Sequence, residues 1–346
     1  MSYTVAFPAG NTEYYLNSDY SQLLQIAPIA SSVIITDENV NQVYGHLFED
    51  YKTLIIESGE KSKTWETIQL LAEKLAGFEV HKGMKLIGIG GGMVTDVVGF
   101  LASIYMRGMK FAFVPTTLLG MVDAAIGGKN GINVRQFKNM LGSIRQPEFI
   151  LYDHSFLETL PEAEWSNGFA EIVKYACIGD AAMFQELLDS TQTTFKTRAA
   201  NLTSLINKCV QQKNSIVLAD EQETGLRKTL NFGHTAGHAF ETLYHLKHGQ
   251  AVALGTIVAL IASEKTLNLS TEIRPNVIEL LKQYSLQVSL KFDVDKVINT
   301  ILLDKKRNSD KIDFILLESI GNAVIHPLSF DEIRTALQTF LYESQS

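Results

Sequence analysis

Short apolar runs alternate with helical patterns in the first half of the chain. Runs rich in β-branched and aromatic residues predict buried strands at Val33–Ile35, Thr53–Ile56, Lys85–Ile89, Phe111–Val114 and Phe149–Leu151. Between them, Thr64–Leu75 and Val94–Ile104 carry apolar residues at helical spacing. Continuous apolar strands that alternate with helices are typical of a parallel sheet covered on both faces. The sequence therefore predicts an α/β fold class, with an N-terminal Rossmann-like parallel-sheet domain.

The pattern changes after about residue 160, where helical spacing dominates and strand signals are few. Helices are predicted at Glu162–Ile178, Ala181–Asp189, Ala199–Ile216, Thr235–Tyr244, Ala251–Thr266 and Arg274–Tyr284. Pro161 followed by the acidic Glu162 and Glu164 indicates a helix start. A chain of 346 residues has room for two domains. We expect an α/β domain at 1–155 and a mostly α-helical domain at 156–346.

Composition and charge exclude several classes of protein. The chain is 46% hydrophobic and 20% charged, as in globular proteins and unlike disordered chains. A net charge of −8 makes a broad nucleic-acid surface improbable on electrostatic grounds. Cys177 and Cys209 form no CxxC pair, so we expect two reduced, buried thiols. The first residues lack the pattern of a signal peptide, and the apolar run 251–262 is too short to span a bilayer. We expect a cytoplasmic protein without a membrane partner.

A glycine-rich turn follows the predicted strand at Lys85–Ile89, where Gly90, Gly91 and Gly92 precede a helix. Such a turn lets main-chain N–H groups approach a phosphate at a helix N-terminus. The spacing does not match GxGxxG, so a structural turn and a pyrophosphate cradle both stay open. Asp96 lies in the first helical turn, and a second polar turn, Ser58–Lys63, follows another strand. Ligands collect at this edge of open α/β sheets.

Histidines cluster in the second half. Four of the eight lie within fifteen residues, at His234, His238, His245 and His248. His234 and His238 are four residues apart and share one face of a helix. Glu171, in an apolar stretch with Lys174 three residues later, needs a partner because a lone buried carboxylate is costly. His234, His248 and Glu171 would supply three ligands and an open fourth position, as in catalytic zinc sites. Spacing alone leaves open which two histidines bind, and whether any does.

Several basic residues lie in or beside segments that are otherwise apolar or glycine-rich: Arg107, Lys129, Lys138, Lys174, Lys213 and Arg227. Lys129 lies within Gly127–Gly131, where we expect a flexible glycine loop that presents a mobile ammonium to phosphate. Each lysine alone is more typical of a solvated surface. Their joint placement in polar turns favours an anion site.

Together these motifs resemble the 3-dehydroquinate synthases of the sugar-phosphate cyclase superfamily, from about Ser58 to Lys306. The resemblance is carried by the segments Gly90–Asp96, Tyr105–Gly108, Pro115–Leu119, Val122–Lys129, Lys138–Asn139, Ala170–Lys174, Gly225–Arg227, Asn231–His238 and His248–Gly249. Each segment is short, and their order and spacing together are specific.

The resemblance implies a homodimeric metalloenzyme that uses NAD+ and a Zn2+ or Co2+ ion and acts on a phosphorylated sugar acid. It implies that the domain at 1–155 binds NAD+ and that the domain at 156–346 binds the metal and the substrate. It implies the metal ligands Glu171, His234 and His248. It implies cofactor contacts from Asp37, Glu60, Lys63, Gly91, Gly92, Asp96, Thr116, Thr117, Lys129, Lys138, Phe156 and Thr159. It implies catalytic roles for Arg107, Lys129, Asn139, Lys174 and His238. It implies substrate contacts from Asp123, Lys213, Arg227, Asn231 and one of Lys305 and Lys306.

The reaction that the resemblance implies converts 3-deoxy-D-arabino-heptulosonate 7-phosphate to 3-dehydroquinate and phosphate. It runs through transient oxidation by NAD+, β-elimination of phosphate, re-reduction, ring opening and aldol closure, as a step of the shikimate pathway. Thr95, Asn130 and Gln250 depart from the commonest family pattern. Alternatives are a related cyclase such as an amino-dehydroquinate synthase, a metal-dependent polyol dehydrogenase, and a non-catalytic module that senses NAD or metal.

Overall fold

A computed structural model describes residues 2–135, 137–304 and 310–344. Within them the strands are β1 (Ser2–Phe7), β2 (Gly10–Tyr15), β3 (Ser32–Asp37), β4 (Lys52–Ile56), β5 (Lys85–Gly90), β6 (Lys110–Pro115), β7 (Lys129–Val134), β8 (Phe137–Ile144), β9 (Phe149–Leu151), β10 (Lys311–Ser319) and β11 (Asn322–Ser329). The α-helices are α1 (Leu23–Ile26), α2 (Glu38–Tyr44), α3 (Trp65–Gly77), α4 (Gly92–Ile104), α5 (Glu162–Gly179), α6 (Ala181–Leu188), α7 (Gln192–Thr197), α8 (Ala199–Ala219), α9 (His234–Tyr244), α10 (His248–Leu267), α11 (Ile273–Gln283), α12 (Val294–Asp304) and α13 (Phe330–Glu343).

The chain divides into two compact units. The first comprises residues 1–161 and 203–222, and the second comprises 162–202 and 223–346. The sequence prediction has one boundary at 155/156, whereas here most of α8 packs with the first unit. Three buried or partly buried contacts attach α8 and the residues that follow it there. Tyr14 Oη donates to Asn214 Oδ1 at 2.7 Å, and Glu221 accepts from Ala9 N at 2.9 Å and from Gln146 Nε2 at 2.8 Å.

A seven-stranded sheet forms the centre of the first unit, in the order β1-β2-β9-β6-β5-β3-β4. All neighbours are parallel except β1 and β2, which form an antiparallel hairpin at one edge. The five predicted strands and the two predicted helices are confirmed, and the predicted α/β class with them. Residues of β3, β5 and β6 are buried because helices cover the sheet.

The strand order reverses at β3. The chain passes from β3 to β4 on one side, and then to β5 on the other side of β3. Open α/β sheets bind their ligands at the carboxyl ends of the strands where the order reverses, which here are β3 and β5. Asp37 ends β3 and Gly91 follows β5, so two residues predicted to contact a cofactor lie at this switch point.

The glycine segment 127–131 does not form the flexible loop that we expected. Lys129 begins β7, which pairs with β8 in an antiparallel hairpin. Gly127 and Gly128 form the preceding turn with φ of +91° and +72°, conformations that favour glycine. The prediction was wrong because polar residues and glycines along both strands hide the alternation that identifies a strand.

The second unit is mostly helical, as predicted, with a two-stranded sheet, β10–β11, that the sequence pattern did not indicate. Helix α10 lies at its centre and contacts α5, α9, α11, α13 and β10. Its 20 residues exceed the predicted apolar run, and by length and composition alone it could cross a membrane. Its most apolar window is 72% buried inside the protein, as in the core helix of a globular domain. Cys177 and Cys209 are buried and form no disulfide, as predicted.

Candidate metal and cofactor sites

Three side chains of the second unit converge on one point. The Nε2 atoms of His234 and His248 lie 3.4 and 3.0 Å from Oε1 of Glu171. Their candidate ligand atoms all lie within 4.8 Å of one another. Two imidazole nitrogens and one carboxylate oxygen match the donor set of a catalytic Zn2+ or Co2+ site that keeps a position open. The residues present therefore fit the metal that the resemblance implies.

The three candidate ligands come from three helices, and two of these helices approach each other closely at a glycine. Glu171 lies on α5, His234 is the first residue of α9, and His248 is the first residue of α10. Gly233 precedes His234 with φ of +77°, and a Cβ there would lie 2.9 Å from the main-chain oxygen of Val252. A side chain at this position would separate α9 from α10 and displace His234.

Glu171 is fully buried and is held ionised by its neighbours. Burial raises the pKa of its carboxyl, but the Lys174 ammonium and His234 outweigh burial and hold that pKa well below its usual range. Lys174, 2% exposed, pairs with Oε2 of Glu171. A buried, ionised carboxylate beside two imidazoles is suited to a divalent cation, because a cation compensates its charge.

His248 lies between two carboxylates. Burial lowers its pKa, whereas its contacts with Glu171 and Glu241 raise that pKa to about 10 overall. His234 is oriented by the main chain, since its Nδ1 lies 3.0 Å from the oxygen of Phe232. The ring of His238 lies 5.2 Å from that of His234, one turn along α9. This places His238 beside the three candidate ligands.

Two further predicted substrate residues belong to the same unit. Arg227 is almost completely buried, and Asn231 donates from Nδ2 to Oε1 of Glu223 at 2.9 Å. Both precede His234 in the short 3₁₀ helix Leu226–Asn231. A buried guanidinium here is suited to a carboxylate or phosphate, to which it donates charge-assisted hydrogen bonds.

The predicted cofactor residues lie in the first unit. Asp37 caps α2 through a 3.0 Å bond from the main-chain N–H of Val40, and it accepts from Ser58 Oγ at 3.1 Å. Lys63 pairs with Asp96. Burial raises the pKa of the Asp96 carboxyl, although the Lys63 ammonium opposes that shift. Gly91 is the N-cap of α4, so no side chain occupies the start of this helix. An uncapped first turn at the switch point is suited to a pyrophosphate.

Packing also explains these glycines without a ligand. A Cβ on Gly92 would lie 2.9 Å from Cβ of Ala124, and one on Gly91 would lie 3.0 Å from Cγ2 of Thr117. Thr116 N donates to the oxygen of Gly90 at 3.0 Å, which joins β6 to the turn. The structural turn and the cofactor cradle that the sequence left open are therefore compatible with each other.

The β7–β8 hairpin contacts the loop that carries Glu60 and Lys63. Asn133 donates from its main chain to the oxygen of Lys63, and from Nδ2 to Glu60, each at 2.8 Å. Asn139 N donates to Oδ1 of Asn133 at 2.9 Å. Lys129, Lys138 and Asn139 are exposed on this hairpin, and Arg107 is exposed in a turn with φ of +60°.

Lys213, a predicted substrate residue on α8, contacts the short π-helix Gly120–Ala124. Its Nζ donates to the main-chain oxygen of Asp123 at 2.6 Å and to Oδ1 at 2.9 Å.

Phe156 is buried against Tyr44, and Thr159 shares a 2.7 Å hydrogen bond with the hydroxyl of Tyr44. Lys305 and Lys306 lie outside the described residues.

Sequence reasoning missed three polar residues at these sites. Glu241 faces His248, Glu223 holds Asn231, and Asn133 joins the hairpin to Glu60. Glu241 had a usable signal, because it follows His234 by seven residues and His238 by three on one helix face. Glu223 and Asn133 had none, since only the folded chain brings them to their partners.

Sequence comparison identifies the family. The sequence model of the 3-dehydroquinate synthase N-terminal domain matches residues 53–167, and that of the C-terminal domain matches 168–307.

The chain belongs to the 3-dehydroquinate synthase family.

A 3-dehydroquinate synthase of Alkaliphilus metalliredigens is 36% identical over 320 residues, which cover 90% of each chain. Among solved structures, the 2-epi-5-epi-valiolone synthase of Streptomyces hygroscopicus with NAD+ and Zn2+ bound is 28% identical, with a TM-score of 0.85 over 93% of this chain and 95% of that one. A 2-deoxy-scyllo-inosose synthase complexed with carbaglucose-6-phosphate, NAD+ and Co2+ shares the fold, with a TM-score of 0.89, 22% identity and coverage of 99% and 100%.

The three departures from the commonest 3-dehydroquinate synthase pattern have local structural roles. Thr95 donates from Oγ1 to the oxygen of Gly92 at 2.9 Å, within the first turn of α4. Asn130 donates to the oxygens of Gly128 and Arg145 at 2.7 and 3.0 Å, which holds the hairpin turn. Gln250 donates to the oxygen of Ser285 at 3.3 Å and accepts from Gln287 N. Its amide thus binds the segment after α11.

Proposed function

We propose that the chain converts 3-deoxy-D-arabino-heptulosonate 7-phosphate to 3-dehydroquinate and phosphate, as an NAD+- and metal-dependent lyase of the shikimate pathway. The observation that carries this proposal is the convergence of His234 Nε2 and His248 Nε2 on the buried, ionised Glu171. The family match supplies the substrate class, and this donor set supplies a place for the metal.

The metal and the dinucleotide supply the chemistry that side chains lack. When bound, a divalent ion polarises a substrate hydroxyl as a Lewis acid, and NAD+ accepts a hydride and later returns it. Glu171, His234 and His248 hold the ion in this proposal. Asp37, Glu60, Lys63, Asp96 and the turn at Gly91–Gly92 bind NAD+, with Thr116, Thr117, Lys129, Lys138, Phe156 and Thr159 as further contacts.

The basic residues hold the substrate's anionic groups. Arg107, Lys129 and Lys174, with Asn139, bind phosphate or carboxylate through charge-assisted hydrogen bonds. Arg227 and Asn231 orient the substrate beside the metal ligands. Further substrate contacts in this proposal are Asp123, Lys213 and one of Lys305 and Lys306. This positioning favours elimination of phosphate, because the leaving group and the C–H bond that breaks stay aligned.

His238 moves a proton beside the metal ligands. Its ring lies 6.4 Å from that of His248, and an imidazole can both accept and donate a proton. Lys174 pairs with the ionised Glu171, so it also balances charge at the ligand set. We propose further that the enzyme is a cytoplasmic homodimer.

A substrate panel separates this function from its alternatives. Purified protein with NAD+ and Zn2+ or Co2+ should release phosphate from the heptulosonate phosphate. Faster turnover of an amino-substituted analogue or of a neutral sugar phosphate would assign a related cyclase instead. Accumulation of NADH with glycerol or similar polyols would assign a polyol dehydrogenase. Tight binding of NAD+ and metal without turnover of any substrate would assign a sensing module.

A further inference from the structure

The imidazole of His248 has a carboxylate on each side. Its Nε2 lies 3.0 Å from Oε1 of Glu171, and its Nδ1 lies 3.7 Å from Oε2 of Glu241. The Glu241 side chain is 9% exposed. Glu241 lies on α9, two turns after His234, whereas His248 begins α10. The short connection between the two helices thus places a second carboxylate behind a proposed metal ligand.

His234 shows what a ligand of this site requires. Its Nδ1–H donates to the oxygen of Phe232 at 3.0 Å, which leaves Nε2, on the side of Glu171, as the nitrogen that can bind an ion. Histidines that bind metals generally donate their other N–H to a carbonyl or carboxylate, which sets the tautomer and the orientation of the ring. In His248, the corresponding nitrogen faces the carboxylate of Glu241.

We propose that Glu241 is a positioning residue for the metal: its carboxylate, 3.7 Å from Nδ1 of His248, attracts the N–H there and keeps Nε2 available as a ligand. This inference rests on the proposed function, since it concerns the metal site of that function. A carboxylate partner also makes the imidazole a stronger electron donor than a carbonyl partner does. The two histidine ligands therefore differ, with His234 held by the main chain and His248 by a charge.

A second metal site is the competing interpretation. His238, Glu241 and His248 also form a group whose candidate ligand atoms lie within 4.8 Å of one another. An ion there would require the lone pair of His248 Nδ1, while the first site requires that of Nε2. A neutral imidazole has one acceptor nitrogen, because the other carries a proton. We therefore assign Glu241 to orientation of His248, with one ion per chain.

Metal binding by the full-length protein tests this assignment without reference to activity. Affinities for Zn2+ are measured by competition with a chromophoric chelator, and the number of ions is measured by elemental analysis. We expect one ion per chain in the wild type, in Glu241→Gln and in Glu241→Ala. Affinity should fall about 10- to 100-fold in Glu241→Ala, the usual range for such partners, and less in Glu241→Gln, whose amide oxygen still accepts a hydrogen bond.

A matched control is Glu264→Gln. Glu264 lies on α10, the helix that His248 begins, and its carboxylate pairs with Arg274. This variant should bind metal as tightly as the wild type does. Equal affinity of the wild type and both Glu241 variants would overturn the inference. So would two ions in the wild type and one in the variants, which would show that Glu241 is a ligand. Because Glu241→Gln is nearly isosteric, misfolding of Glu241→Ala would leave the test intact.

The two proposals fail in different ways. A wild type that binds one ion but releases no phosphate from the heptulosonate phosphate would overturn the proposed reaction and leave the role of Glu241 standing. A wild type that releases phosphate, with Glu241 variants of unchanged metal affinity, would overturn the role of Glu241 alone. The absorption spectrum of bound Co2+ supplies a second readout, since a reoriented His248 should shift its bands.

Discussion

Lys213 of α8 donates two hydrogen bonds to Asp123, one to the main-chain oxygen at 2.6 Å and one to the carboxylate at 2.9 Å. Helix α8 thereby holds the short π-helix Gly120–Ala124 and presents an ammonium beside it. The partners are 90 positions apart in the sequence, and the segment between them includes the whole of β7, β8 and β9. Two residues proposed to contact substrate therefore hold each other in place.

Removal of the Lys213 ammonium should weaken catalysis. In Lys213→Met, Asp123 loses a charged partner, and we expect kcat/KM to fall about 10- to 100-fold, since hydrogen bonds to charged groups contribute about 1.5–3 kcal/mol. Steady-state kinetics of phosphate release measures the change. Lys265→Met, which removes an exposed lysine bonded to Thr339, is the control and should keep wild-type kinetics. Wild-type kcat/KM in Lys213→Met would contradict the role given to this pair.

The buried bond between Tyr14 and Asn214 should stabilise the first unit. Tyr14→Phe leaves Oδ1 of Asn214 without this donor in a buried position, so we expect the free energy of unfolding to fall by about 1–3 kcal/mol. Urea denaturation measures it. Among the described residues, the nearby Tyr152 hydroxyl has no hydrogen-bond partner, so Tyr152→Phe should be neutral or slightly stabilising. Equal losses in both variants would show that the bond contributes nothing specific.

Glu148 should make stability depend on pH. Burial raises its pKa, but Lys110 and Lys85, at 2.7 and 2.8 Å, outweigh burial and lower that pKa below the usual 4.5. A lowered pKa in the folded state stabilises the protein above pH 4.5, and this stabilisation is lost as the pH falls through the folded-state value.

Glu148→Gln should therefore be less stable than the wild type at pH 7, by up to about 1 kcal/mol because the site is partly exposed. The difference should shrink at pH 3, where the wild-type carboxyl is protonated. Urea denaturation at the two pH values measures it, with Glu49→Gln as a control that changes an exposed carboxylate. A difference independent of pH would contradict the ionic origin.

Loss of a proposed metal ligand should cost more affinity than loss of Glu241. We expect the affinity of His234→Ala for Zn2+ to fall by more than about 100-fold relative to the wild type. This loss exceeds the loss of about 10- to 100-fold that is usual for residues that orient a ligand without touching the ion. Chelator competition measures this. His245→Asn is the matched control, because His245 is exposed at the end of the same helix. Unchanged affinity in His234→Ala would remove it from the ligand set.

Much of this fold could be predicted from local patterns. The strands that carry Ile34, Ile87 and Ala112 are continuous apolar runs because both faces of the sheet are covered, and such runs are visible in sequence. Local patterns could not show that Asn214 pairs with Tyr14, 200 residues away, which attaches α8 to the first unit. Cooperation between distant segments leaves no trace in the spacing of apolar residues.

The candidate site divides in the same way. The spacing of His234 and His238 placed them on one helix face, and the isolated charge of Glu171 in an apolar helix indicated a buried partner. The choice of His248 as second ligand came from the family resemblance, since His245 was an equal candidate by spacing. In the structure, His248 faces Glu171 whereas His245 ends α9 at the surface, a difference that depends on the turn between α9 and α10.

The most direct test of the central claim counts phosphate released per NAD+ supplied. Metal-loaded protein is given the heptulosonate phosphate with NAD+ at one hundredth of the substrate concentration, while phosphate and the absorbance of NADH are followed together. We expect nearly complete release of phosphate, 3-dehydroquinate in equal amount, and no net NADH, because each hydride returns within the same turnover. Release that stops when phosphate equals the NAD+ supplied, with NADH accumulating in step, would contradict the account.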